Sequence, residues 1–146
     1  MKTLILYYSH SGKTQALARK RAEELGAEIE EIVEVKRPSV AIGILRAIRR
    51  KKTPIAPLAA DLGEFDKIII MSPVWAGHPV SAINAAIALL PQGKQVEFVM
   101  NSAGGGTKKS AAGTKSLAVA RGCEVVGYED VKVTLNGGEI VVDILS

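Results

Sequence analysis

Apolar and polar positions along the 146-residue chain alternate between a strand rhythm and a helix rhythm. Leu4 to Tyr8 is a short apolar run with two tyrosines, the pattern of a buried strand. Lys13 to Leu25 places Ala18, Ala22 and Leu25 on one face and is followed by Gly26, which predicts a helix with a natural stop. Ile29, Val33 and Val35 alternate with Glu28, Glu30, Glu31 and Glu34, as in an edge strand over 29–35 with one wet side. Ser39 is placed to cap a helix with Val40, Ile44, Ala47 and Ile48 inward and Arg46, Arg49 and Arg50 toward water. Pro54 and Pro57 then end it. Lys67 to Met71 is the most apolar strand and fits a central position covered on both faces. A helix over 80–90 lines up Val80, Ile83, Ile87 and Leu90. A strand over 96–100, a helix over 108–121 and a last strand through 124–126 and 131–135, interrupted near Gly127, complete the series.

Strands alternating with helices across short connections predict an α/β fold: a doubly wound, five-stranded parallel sheet in the order 2-1-3-4-5. Ligand loops of such a sheet lie at the carboxyl ends of its strands. Ser9–Thr14, Ser72–Gly77 and Asn101–Gly106 all follow strands, and that order brings them together from neighbouring strands. The end of the chain lacks a long helical pattern. Asn136-Gly137-Gly138 between β-branched runs predicts a hairpin, with a short helix from Glu139 as the competing reading. Without a last helix one side of the sheet would be poorly covered, an exposed patch suited to a homodimer contact.

Length and composition refine this picture. The chain reads as one domain over residues 1–146, and its 47% hydrophobic and 23% charged residues describe a globular protein. One cysteine, Cys123, and two histidines, His10 and His78, argue against a disulfide and a dedicated metal site. No apolar run approaches the roughly 20 residues of a membrane span, and no secretory leader is evident. A cytoplasmic protein without membrane attachment is therefore expected. Net charge is +4, concentrated between Val35 and Ala60, where Lys36, Arg37, Arg46, Arg49, Arg50, Lys51 and Lys52 occur with no acid. Such a face steers anionic partners. No aromatics interleave with it for base stacking, so nucleic acid is a poor candidate.

The first loop carries the chemistry. Ser9, His10, Ser11, Gly12, Lys13 and Thr14 sit where a strand opens a helix, whose unpaired N–H groups and partial positive charge suit a phosphate. A triphosphate-binding loop needs a glycine five residues before Gly12, where this chain has Tyr7, and no later strand ends in a magnesium-holding aspartate. The three-glycine dinucleotide fingerprint is also missing from this turn.

Ser9–Thr14 instead resembles the hydroxyl-rich phosphate loop of the flavodoxin family. Ser72-Pro73-Val74-Trp75-Ala76-Gly77 is similar to the flavin-flanking loop of one branch, and Asn101-Ser102-Ala103-Gly104-Gly105-Gly106 falls where the second flavin loop belongs. The resemblance covers roughly residues 1–122. It implies FMN as cofactor, with Ser9, Ser11, Gly12, Lys13 and Thr14 on the phosphate and His10 contributing its backbone. It further implies Trp75 against the ring, with Ala76, Gly77, Gly104, Gly105 and Gly106 letting backbone groups reach the ring's edge. The leading expectation is an electron carrier between redox partners, one of them presenting an acidic docking face. An FMN-dependent NAD(P)H:quinone or flavin reductase is the alternative, because the glycine loop lacks an outer aromatic. A module of this fold with little FMN affinity is the third reading. His78 is expected to help start a helix, and Cys123 to fill core space.

Overall fold

The computed structural model describes residues 1–145. Seven strands and four α-helices follow in the order β1 (Thr3–Tyr7), α1 (Lys13–Leu25), β2 (Glu28–Glu31), α2 (Val40–Ile48), β3 (Lys67–Trp75), β4 (His78–Pro79), α3 (Ser81–Ile87), β5 (Gln95–Asn101), α4 (Ala111–Ala120), β6 (Glu124–Asn136) and β7 (Glu139–Ile144). The sheet runs β2-β1-β3-β5-β6-β7. Its first five members are parallel, so the expected 2-1-3-4-5 order holds once the two-residue β4 is set aside. β7 adds antiparallel to the outer edge of β6.

Period-two alternation in the central strands divides the core between the two faces of the sheet. Leu4, Leu6, Ile68, Ile70, Val96, Phe98 and Met100 point to the side covered by Ile83, Ile87 and Leu90 and by Ala118 of α4. Ile5, Tyr7, Ile69, Met71 and Val99 point to the other side, against Leu17, Ala18 and Ala22 of α1. Gly26 ends α1 at φ 64°, the left-handed cap expected of it.

The C-terminal hairpin forms as predicted. Asn136 pairs with Glu139 across Gly137 and Gly138, whose φ values of 59° and 90° define a type I′ turn. Its position removes the expected gap beside α1. Val133 is buried there, with Ile140 and Val142 packed on the same cluster as Leu17 and Ala18. The hairpin thus replaces a covering helix. β6 is one continuous strand rather than two pieces, because a bulge opposite Val96 and Glu97 absorbs one extra residue before Gly127.

Two expectations fail locally. The predicted edge strand over 29–35 pairs with β1 only through Glu31, and its buried residue is Ile32 rather than Ile29, Val33 or Val35. Ile32 N–H donates to the Tyr7 carbonyl, after which the chain leaves the sheet. Val35 N–H and Ala56 N–H then bond to Pro54 and Val33 carbonyls, a local pairing across 33–56 that period-two reading mistakes for strand. In α2 the capping expectation holds, with Ser39 Oγ accepting from Ile42 N–H. The inward stripe holds only in part: Ala47 is buried and Ile44 half-buried, but Val40 and Ile48 are not. Gly43 and Ala47 are buried, whereas Val40, Ile42, Leu45 and Ile48 are each about half exposed.

Ile32→Ala should therefore lower stability by about 2–4 kcal/mol in urea unfolding, while Val33→Ala stays within about 0.5 kcal/mol. Equal losses at the two positions would restore the edge-strand reading.

Candidate functional site

The carboxyl ends of β1, β3, β5 and β6 form one rim of the sheet. At β1 the chain turns through Ser9–Gly12 into α1, with Gly12 at φ 89° as N-cap residue. Only a residue tolerating positive φ serves there, and the space where a Cβ would stand is open to at least 4 Å. Ser9 Oγ accepts from Gly12 N–H at 3.1 Å, which folds the loop back on itself. No side chain caps α1, so its first-turn N–H groups remain open toward the rim. The loop is held from the flank by Arg37, whose guanidinium donates to the Ser9 carbonyl at 3.0 Å and lies over the Tyr8 ring.

β3 does not end at Met71 as expected. It continues through Ser72–Trp75 and returns as β4, with Trp75 paired to His78. The segment Ser72–Gly77, anticipated as a loop, is therefore strand followed by a two-residue turn. Ala76 and Gly77 sit there at φ 50° and 77°. Glycine fits such a turn, whereas alanine in the left-handed region is strained by about 1 kcal/mol or more. Helix α3 starts only after Val80, so His78 belongs to β4 and does not start the helix.

The loop after β5 is braced from within and from β6. Ser102 Oγ accepts from the N–H groups of Gly104 and Gly106 at 3.3 and 3.0 Å. Thr107 gives both its N–H and its hydroxyl to Asp130 Oδ1, at 3.0 and 2.6 Å. Asn101 donates to Thr14 Oγ1 at 3.4 Å and accepts from Val133 N–H at 3.2 Å, tying the first loop to β6. Ser110 Oγ donates to the Gly77 carbonyl at 2.6 Å, which fixes the β3–β4 turn against the start of α4.

Two cavities open along this rim, both bordered by the 101–106 loop. One, of about 190 Å³, lies between Ser11 and Lys13 on one side and Asn101, Ser102 and Ala103 on the other, with Pro73 in its floor and Lys132, Val133 and Thr134 as its wall. The other, of about 390 Å³, lies between Ala76, Gly77 and His78 and the glycines Gly105 and Gly106, beside Lys108 and Lys109. The predicted residues Ser11, Lys13, Pro73, Asn101, Ser102, Ala103, Ala76, Gly77, Gly105 and Gly106 are thus brought to one rim. Ser9, His10, Gly12, Thr14, Val74, Trp75 and Gly104 line neither cavity. Trp75 packs toward α2: its six-membered ring covers Gly43 so closely that a Cβ there would collide with Cζ3. His10 and Tyr8 meet the indole edge-on, at 5.5 and 6.4 Å between centroids.

Sequence reasoning missed Lys132 and set His78 aside. β6 runs past its pairing with β5, which ends at Asn101 opposite Val131, so Lys132 rises above the rim. The unbroken alternation Val131-Lys132-Val133-Thr134-Leu135 was the available signal. His78 Nδ1 is buried without a hydrogen-bond partner, and burial, aided by Arg50, pushes the imidazole below its ordinary pKa. Arg50 comes from beyond α2 and donates to the Ser110 carbonyl at 3.4 Å. Among the described residues no group of three or more histidines, cysteines or carboxylates could hold a metal, and no helix is long and apolar enough to cross a membrane.

Two tyrosines brace the site from opposite sides. Burial pushes Tyr8 up to about 12, helped by its bond to Glu34. Burial also pushes Tyr128 up to about 12; its hydrogen bond to Thr107 works against the rise and the Asp130 charge adds to it. A phenol with a raised folded-state pKa contributes stability that is complete below its unfolded value of 10.0 and is lost as pH rises toward 12. Melting temperature should fall over that window, and Tyr8→Phe or Tyr128→Phe should each flatten the fall. A slope unchanged in both variants would show that neither phenol is held in this way.

Neither a family model nor a curated protein matches the chain. Solved structures do. The chain is similar to a flavoprotein from Lactobacillus acidophilus solved in complex with FMN, at 29% identity over 88% of this chain and 92% of that one, with a TM-score of 0.75. It also shares the fold of a protein from Agrobacterium tumefaciens described as a flavodoxin, WrbA-like, at 21% identity over 84% and 74% of the two chains and a TM-score of 0.60. Oxidised flavodoxin 1 from Bacillus cereus is similar at 19% identity over 94% and 88%, with a TM-score of 0.55. Sheet order, the open start of α1 and these likenesses converge: the chain has a flavodoxin-like fold and is similar to flavoproteins of that fold.

Proposed function

We propose that this chain binds FMN along the rim and passes electrons between that flavin and a redox partner. The observation that carries the reading is the pair of cavities joined by the 101–106 loop, one beginning at the uncapped N-terminus of α1. The likeness to a flavoprotein solved with FMN supports it.

The residues present fit the cofactor. Open N–H groups at α1, the Ser11 hydroxyl and the cations Lys13 and Lys132 suit a phosphate dianion. The larger cleft, walled by backbone at Gly77, Gly105 and Gly106, suits a flat heterocycle. Bound FMN would supply the redox chemistry itself. The chain's share is to hold and orient it. The braced 101–106 loop keeps the cleft at fixed width, and Ser110 holds the Gly77 carbonyl in place. His78, kept neutral by burial and Arg50, adds no charge of its own at the cleft wall. The surrounding lysines favour the flavin's reduced, more negative form. One unit charge about 10 Å away in water contributes roughly 0.4 kcal/mol, or on the order of 20 mV.

A second reading rests on the exposed Ala103, Gly104 and Gly105, which offer no aromatic side chain to the outer side of the cleft. An NAD(P)H:quinone or flavin reductase needs such access for direct hydride transfer. Rapid bleaching of the bound flavin by NAD(P)H alone, with turnover on a quinone, would select this enzyme over the carrier.

Titration of the purified protein with FMN should quench flavin fluorescence at a one-to-one ratio. Riboflavin, lacking the phosphate, should bind about 10- to 100-fold more weakly. Trp75→Ala should lower stability and leave FMN affinity nearly unchanged, because the indole packs on Gly43 and lines neither cleft. A loss of roughly 1–3 kcal/mol in FMN binding would instead show that it stacks on the ring, by analogy with base–aromatic stacking. Failure of FMN to bind would leave the chain as a module of this fold without the cofactor.

A further inference from the structure

Helix α2 is turned inside out relative to an ordinary surface helix. Its small residues Gly43 and Ala47 face the protein, and its large aliphatic residues Ile42, Leu45 and Ile48 face outward, each between 46% and 49% exposed. Burying the small side is explained by Trp75, which leaves no room for a Cβ at Gly43. Among the described residues nothing covers the large side. The same surface is strongly basic. Arg46, Arg49, Lys51 and Lys52 lie on or just after the helix, and none of them forms a salt bridge among the described residues. A groove of about 440 Å³ runs along its flank, lined by Val35, Arg37, Ile42, Arg46 and Pro54 among others.

We propose that this face of α2 docks an acidic protein partner whose contact has an aliphatic centre and a carboxylate rim. The reading rests on the electron-transfer function above, because α2 abuts the rim: Gly43 lies under Trp75, and Arg37 and Arg50 reach Ser9 and Ser110. A partner seated there stands beside the flavin site. Charge decides the occupant. A second copy of this chain would set unpaired cations against unpaired cations, which costs rather than stabilises. An anionic bilayer would match the charge. It would, however, leave the groove beside Ile42 unfilled and bury Arg49, which lies one turn after Leu45 on the apolar side. A protein surface satisfies both: an inserted side chain fills the groove, and carboxylates meet Arg46 and Arg49.

The test uses the protein supplied with FMN and a fluorescein-labelled helical peptide of leucines and glutamates, followed by anisotropy. The acidic peptide should bind at least about tenfold more tightly than its leucine–lysine counterpart, and raising salt from about 0.05 to 0.5 M should remove most of that preference. Leu45→Ser should weaken binding about fivefold or more without changing the salt dependence, and the double variant R46Q/R49Q should weaken it and flatten the salt dependence. All these positions are outside the flavin rim, so FMN quenching should be unchanged and also reports that each variant is folded. Equal binding of the two peptides, or indifference to both variants, overturns the proposal. Association with phosphatidylglycerol vesicles that outcompetes the acidic peptide makes the face a membrane surface and overturns it. Dimerisation abolished by Leu45→Ser makes it a self-interface and overturns it too. Intact docking in a preparation that fails to bind FMN supports the docking face while refuting the flavin reading, so the two failures are distinguishable.

Discussion

Asp130 is buried on β6, and both the N–H and the hydroxyl of Thr107 are spent on one of its oxygens. A buried carboxylate is tolerable only when hydrogen bonds replace its water, so this residue and Thr107 hold one another in place. The rest of the rim hangs from that clamp. Gly106 runs against the carboxylate at φ 68°, and Ser110, three residues past Thr107, reaches the β3–β4 turn. Tyr128 closes the clamp from the same strand and packs on Phe98 in the core. A loop of three consecutive glycines would otherwise be the most mobile part of the chain. Here it is tied to the sheet from both ends.

How much of this could be read from the sequence depended on whether a residue's partner was local. The apolar runs of β1, β3 and β5 declare themselves because both of their faces are buried, and two glycines at Gly137–Gly138 declare a hairpin because their backbone requirement is local. Alternation of strands and helices gave a parallel sheet, and five strands fit the 2-1-3-4-5 order that the structure shows. Ile32 was missed because its burial depends on the chain leaving the sheet to pair with Pro54–Ala56, a contact no periodicity encodes. The outward face of α2 was missed for a related reason: a distant indole occupies the inward side, so the smallest residues went in.

The site was legible to a similar degree. Glycines and hydroxyls after strands marked the rim, and the structure does bring those segments together. Extension of β3 through Trp75 was not legible, since Pro73 and Gly77 are turn residues in most contexts. Proline is accommodated where the pairing of β3 with β5 ends, beside the last residue of β5. Lys132 became part of the rim only because β6 outruns its neighbour.

The hairpin that takes the place of a final helix also bears on the order of assembly. Helix α1 carries the Ser9–Gly12 loop at its start, yet part of the apolar surface it rests against comes from Val133, Ile140 and Val142. During synthesis, α1 can lean on β1 and β3 long before those residues emerge. Hairpins close on a scale of about 1–10 μs once both strands exist, so the delay is set by translation rather than by folding. The first helix of the rim is therefore consolidated by residues made much later than itself, and it gains its full apolar contact only once the hairpin has emerged.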